Sequence, residues 1–117
     1  MFAHVVVELD IFSGMPNPTW VLTDAEAAKF LRQLDAQPRA SAREEAGNLG
    51  YRGFIVEVTQ GAAHRKIRVQ KGTVHSSTGG TSAYTRDEGR EMERWLLETG
   101  NPHLEPDLLQ MVERDLR

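Results

Sequence analysis

The chain has 117 residues, 39% hydrophobic and 26% charged, which suits a single globular domain over 1–117 and leaves no apolar run near the ~18 residues of a membrane span. Cysteine is absent, so disulfides, thiolate nucleophiles and cysteine-ligated metal centres are excluded. Lys and Arg number 14 against 17 Asp and Glu, a formal charge of −3 with the basic residues scattered along the chain, so neither nucleic acid nor a membrane is the expected partner. The opening residues Met1 to His4 lack a basic region followed by an apolar stretch, and a soluble, cytoplasmic protein is expected.

His4 to Phe12 reads as a strand, because Val5, Val7, Leu9 and Ile11 alternate with His4, Val6, Glu8 and Asp10. A stiff loop follows. Pro16 and Pro18 fix their own φ and push Met15 and Asn17 toward extended backbone. Thr23-Asp24-Ala25-Glu26 is a capping box, so a helix starts at Asp24, with Leu22 and Ala27 as a hydrophobic staple and Ala27, Phe30, Leu31 and Leu34 as its buried stripe. Ser41-Ala42-Arg43-Glu44 repeats the capping pattern before Gly47 and suggests a short helical turn.

Phe54 to Thr59 is a β-branched run that reads as a second strand, and Gln60 to Arg65 as a hairpin connection to a third, Lys66 to Val74. Setting Glu57 opposite Arg68, and Thr59 opposite Lys66, gives a register consistent with charge. Gly72 to Tyr84 is rich in Ser, Thr and Gly and reads as a long exposed loop. Thr85-Arg86-Asp87-Glu88 resembles another capping box, ahead of a helix with Met92, Trp95, Leu96 and Thr99 in its stripe that ends at Gly100. Pro106 opens a C-terminal helix. The expected fold is therefore α+β in the order β-α-β-β-α-α. It has a three-stranded, mainly antiparallel sheet of order 1-3-2, with a split β-α-β, and two to three helices cover one face.

Three groups of residues could carry chemistry. His4, Glu8 and Asp10 share one face of the first strand and could ligate a metal, although pairing of Glu8 and Asp10 with Arg68 or Lys66 is the simpler reading. Ser13, Asn17 and Trp20 on the stiff loop, with Arg52 beside Tyr51, could form a ligand wall, since guanidinium and a few fixed polar groups beside an aromatic surface suit a small-molecule site. His75 could act as a base near Tyr84, with Ser76, Ser77 and Asp87 as possible partners, but no Gly-x-Ser-x-Gly elbow is present. Gly79-Gly80 lacks a phosphate-loop pattern, and no motif implies a cofactor.

These features favour a small non-enzymatic binding or accessory protein, with a small molecule or a protein as partner. A small metal- or His-dependent enzyme is the alternative. A third reading is a homodimer or larger homo-oligomer assembled through the open sheet face, where Val6, Phe12 and Ile55 interrupt the charges.

Overall fold

In the computed structural model, which describes residues 3–42 and 50–116, the first strand is followed by a second short one rather than by loop alone. The elements are β1 (His4–Leu9), β2 (Thr19–Val21), α1 (Asp24–Ala36), β3 (Phe54–Gln60), β4 (Ala63–Gln70), β5 (Thr73–Thr78), β6 (Thr81–Arg86), α2 (Glu91–Gly100) and α3 (Pro106–Asp115). All six strands form one antiparallel sheet in the order β2-β1-β3-β4-β5-β6.

Strand alternation decides which face is covered. Val5, Val7, Leu9, Phe54, Val56, Ile67, Val69 and Val74 are buried with Phe30 and Leu34 of α1, Met92 and Leu96 of α2 and Val112 of α3 in one core. Their neighbours in sequence, Val6, Glu8, Ile55, Arg68 and His75, lie half-buried on the opposite face, which the helices leave open. The Thr23 hydroxyl accepts from the Glu26 amide while the Glu26 carboxylate accepts from the Thr23 amide, so the capping box at α1 forms as expected.

The expected three-stranded 1-3-2 sheet is wrong in three respects, the first being that Thr19–Val21 adds β2 at the edge beside β1. His4 to Leu9 pairs directly with Phe54 to Thr59, so β1 lies beside β3 and no split β-α-β crossover exists. The stretch from Gly72 to Tyr84 is the β5–β6 hairpin and not a long loop. Small polar side chains conceal this hairpin, because only Val74 of β5 is buried and the apolar alternation that marks a strand is missing. Turn chemistry carries the signal instead. Lys71 and Gly72 have φ of 49° and 82°, and Gly79 and Gly80 have 52° and 87°, the positive values that two-residue hairpin turns of the I′ type require.

The β3–β4 register also differs from expectation. Gly61-Ala62 forms a two-residue turn, which starts β4 at Ala63 and sets Glu57 opposite Lys66 and Ile55 opposite Arg68. Faces are preserved by this shift of two residues, but Arg68 is released from Glu57. The expected cap at Thr85 is replaced by one from Asp87, whose carboxylate accepts from the Met92 and Glu93 amides at 2.8 and 3.0 Å. Beyond β6, Pro38 to Ala40 extends the sheet edge, with Ala40 N donating to Tyr84 O at 3.0 Å and Arg86 N to Pro38 O at 2.9 Å. The short turn expected between Ser41 and Gly47 lies mostly outside the described residues.

Candidate functional site

The stiff loop is stitched to the end of β1 by one side chain. Asn17 Oδ1 accepts from the amides of Ile11 (3.1 Å) and Phe12 (2.7 Å), while its Nδ2 donates to Glu8 Oε2 (2.8 Å) and, at 3.4 Å, to Asp10 Oδ1. The flanking prolines hold the loop in position for this, and Leu9 N donates to Pro18 O at 3.0 Å.

Asp10 is the centre of this corner. Arg52 Nη2 donates to its Oδ1 at 2.9 Å and Arg68 Nη1 to its Oδ2 at 3.0 Å, and each guanidinium also donates to a backbone carbonyl, of Phe12 and Arg52 respectively. Gly53 makes the approach possible. Its φ is +90°, and a Cβ there would stand 2.3 Å from the carbonyl oxygen of Val69. Burial pushes the Asp10 carboxyl upward, but hydrogen bonds and charge from Arg52 and Arg68 outweigh it and leave its pKa below the ordinary value.

The ligand wall expected from the loop does not include its tryptophan. Trp20 is 4% exposed, packs edge-on against Phe54, and donates from Nε1 to Thr99 Oγ1 at 3.0 Å, so it is a core residue joining β2 to α2. Ser13 remains exposed in the bend. Asn17 and Arg52, by contrast, meet at Asp10, although they are far apart in the chain.

A single register row crosses the open face from Thr19 through Glu8, Ile55, Arg68 and His75 to Tyr84. At its end the His75 and Tyr84 rings stack in parallel, with centroids 4.4 Å apart and planes 1° from coplanar directions. His75 Nε2 lies 3.1 Å from Ser82 Oγ. The two candidate catalytic residues are thus adjacent, but Asp87 is buried at the start of α2, and Ser76 alternates to the other face of β5. No nucleophile–base–acid series is assembled from these residues.

The metal candidates are spread along the strand. His4 pairs with Thr59 at one end of β1 and Asp10 lies past the other, roughly 20 Å away at the strand rise, with Asp10 already held by two arginines. Among the described residues no group of three or more His, Asp or Glu side chains could hold a metal.

Sequence reasoning missed a buried ionic cluster on the covered side. Glu93 is 0% exposed and accepts from Arg90 Nε and Nη2 at 3.0 and 2.9 Å, from the Lys71 amide at 3.0 Å and from the Tyr51 hydroxyl. Its position three and four residues before Leu96 and Leu97 in the apolar stripe was the available signal. Every acceptor direction is used, so the cluster ties β4, α2 and the approach to β3 together. A separate groove of about 570 Å³ lies between α2 and α3, lined by Trp95, Leu97 and Leu109 together with Glu91, Glu98 and Glu113. No helix among the described residues is long and apolar enough to cross a membrane.

Comparison of the chain with protein-family models, curated proteins and solved structures found no match.

Proposed function

We propose that this chain is a non-enzymatic binding module of the cytoplasm and that the open face of its sheet is the recognition surface. One observation carries the reading: polar side chains on the open face are fixed by contacts to one another, Asn17 and Arg68 on Asp10 toward one side and the His75–Tyr84 stack toward the other. Side chains fixed before an encounter lose little conformational entropy on binding, which favours a surface of this kind over one of free lysines.

Amide-shift mapping with short extended probes, a tetraglutamate and a tetralysine peptide, tests the reading. Shifts gathered on Glu8, Ile55, Arg68, His75 and Tyr84 are expected. Shifts confined to the α2–α3 groove, or none with any probe, would overturn it.

A second reading, a homodimer through the same face, is favoured by the directly opposed Val6 and Val21, the latter 53% exposed, beside half-buried Ile55. Sedimentation at rising concentration separates the two, since a dimer weakened by Val21→Asp would support self-association and a monomer throughout would remove it.

A further inference from the structure

The chain is acidic overall, but its charges are segregated by the fold. From Val58 to Arg86, the stretch that finishes β3 and makes all of β4, β5 and β6, there is no aspartate or glutamate, whereas Arg65, Lys66, Arg68, Lys71 and Arg86 are present. From Asp87 to Asp115, in the helical part, carboxylates outnumber arginines by nine to three. Basic residues that look scattered along the sequence therefore share one half of the sheet.

We propose that the open face of β4–β6 binds single-stranded nucleic acid, with phosphates over Lys66 and Arg86 and a base stacked on Tyr84. This rests on the open face being the recognition surface and names the class of its partner.

The geometry supplies both parts of such a site. Lys66, Ser77 and Ser82 occupy one register row, and Arg68, His75 and Tyr84 the next, so cations and hydroxyls lie beside an aromatic stack on one face. Tyr84 lies on β6 with its inner ring face against His75. Outward in the same row stands Ala40, so the edge segment offers only a methyl group beside the outer face of the ring. A base stacking there would lengthen the existing two-ring stack, and Arg86, exposed on the same face two residues along β6, flanks the position. Arg86 is 3.6 Å from Glu88, a pair more than half exposed on both sides and weak enough to be exchanged for a phosphate. The open face of β4–β6 carries no carboxylate of its own, with Glu57 of β3 standing opposite Lys66 at its border, whereas the helical side is acidic and repels a polyanion. Duplex is disfavoured, since its bases are stacked inside and offer Tyr84 no free face.

Fluorescence anisotropy with labelled 12-nucleotide oligo(U) and oligo(dT) and a 12-base-pair duplex tests the proposal. The single strands are expected to bind at least about tenfold more tightly than the duplex. With about two phosphates neutralised, affinity should fall roughly sevenfold between 50 and 200 mM salt. Tyr84→Leu is expected to weaken binding about tenfold, and Lys66→Glu and Arg86→Glu, both at exposed positions, to weaken it without a change in fold. Arg32→Glu, an exposed position on α1, is the charge-matched control and should leave binding unchanged. Equal losses in the control and the face variants, equal affinity for tetraglutamate, or no binding at 50 mM salt would overturn the proposal. Amide shifts on the open face from a peptide probe, with none from either oligonucleotide, would overturn the nucleic-acid partner and leave the recognition surface standing.

Discussion

Arg68 of β4 reaches past β3 to the carboxylate of Asp10 beyond the end of β1, Nη1 to Oδ2 at 3.0 Å, and so ties residues 58 positions apart across an intervening strand. The Asp10 side chain is only 10% exposed, and two guanidinium groups depend on it. Asp10→Asn removes the charge that the two half-buried arginines share. A loss of about 2–4 kcal/mol is expected in urea unfolding, against about 1 kcal/mol or less for an exposed pair such as Arg86–Glu88.

Asp10 and Asp87 respond to pH in opposite senses. The Asp10 carboxyl titrates below its ordinary 3.8, so its contribution is complete above that value and is lost as pH falls through the lower, folded-state pKa. The Asp87 carboxyl is raised, first by burial and then by Glu93 and Glu91, with the Met92 and Glu93 amides opposing. Its contribution is complete below 3.8 and declines as pH rises through the folded-state value. Unfolding free energies measured from pH 7 downward should therefore show the cost of Asp87→Asn growing toward pH 4. The cost of Asp10→Asn should stay level over that range and shrink only below it. Parallel curves for the two variants would refute both assignments.

Gly100 ends α2 for reasons of space. A Cβ there would stand 2.5 Å from Cζ2 and 2.6 Å from Cη2 of Trp20, inside the contact distance of a ring fixed by its hydrogen bond to Thr99. Gly100→Ala should cost about 1–3 kcal/mol, or more where the ring cannot shift. In a Trp20→Phe background the smaller ring vacates that position, so the same substitution should cost at least about 1 kcal/mol less. Additive thermal or urea data would rule out this steric coupling.

Glu93, Tyr51 and Arg90 lend themselves to a double-mutant cycle. Burial, together with the Glu93 charge and hydrogen bond, pushes the Tyr51 hydroxyl well above its ordinary range, so it stays a donor throughout the working pH range. Tyr51→Phe should cost about 1–2 kcal/mol through one lost bond, and Glu93→Gln about 3–5 kcal/mol because Arg90 then lacks its anion in the interior. The coupling between the two should be about 0.5–3 kcal/mol, and a value near zero would show that the hydroxyl and carboxylate act independently.

What could be read from the chain alone follows from which signals are local. The Thr23 capping box, the Ala27–Phe30–Leu34 stripe and the alternation of β1 are written within a few residues and were legible. β2 was not, because three residues after Pro18 give too short a pattern. β5 and β6 were hidden for a different reason: Ser, Thr and Gly strands can be held by cross-strand bonds and turns with almost no apolar payment. At the candidate site, Asn17 and Arg52 could be singled out by residue type, but their meeting at Asp10 needed the chain to return along β3. The run without carboxylates from Val58 to Arg86 is visible in a local count, but that Lys66 and Arg86 share one face needed the sheet.

The β4–β5 turn carries a removable strain. Lys71 adopts φ of +49°, a left-handed conformation that costs a residue with a Cβ roughly 1 kcal/mol, and Gly72 follows at +82°. Asn tolerates this region better and Asn-Gly is the favoured I′ pair, while the backbone amide that donates to Glu93 is retained whatever side chain stands at 71. Lys71→Asn should therefore raise stability by about 0.5–1 kcal/mol and leave the spectrum of the folded state unchanged outside the turn. Lys71→Val, β-branched and poorly suited to positive φ, should lower it by at least about 1 kcal/mol. If both substitutions shift the urea midpoint in the same direction, side-chain interactions of Lys71 and not its backbone conformation control this turn.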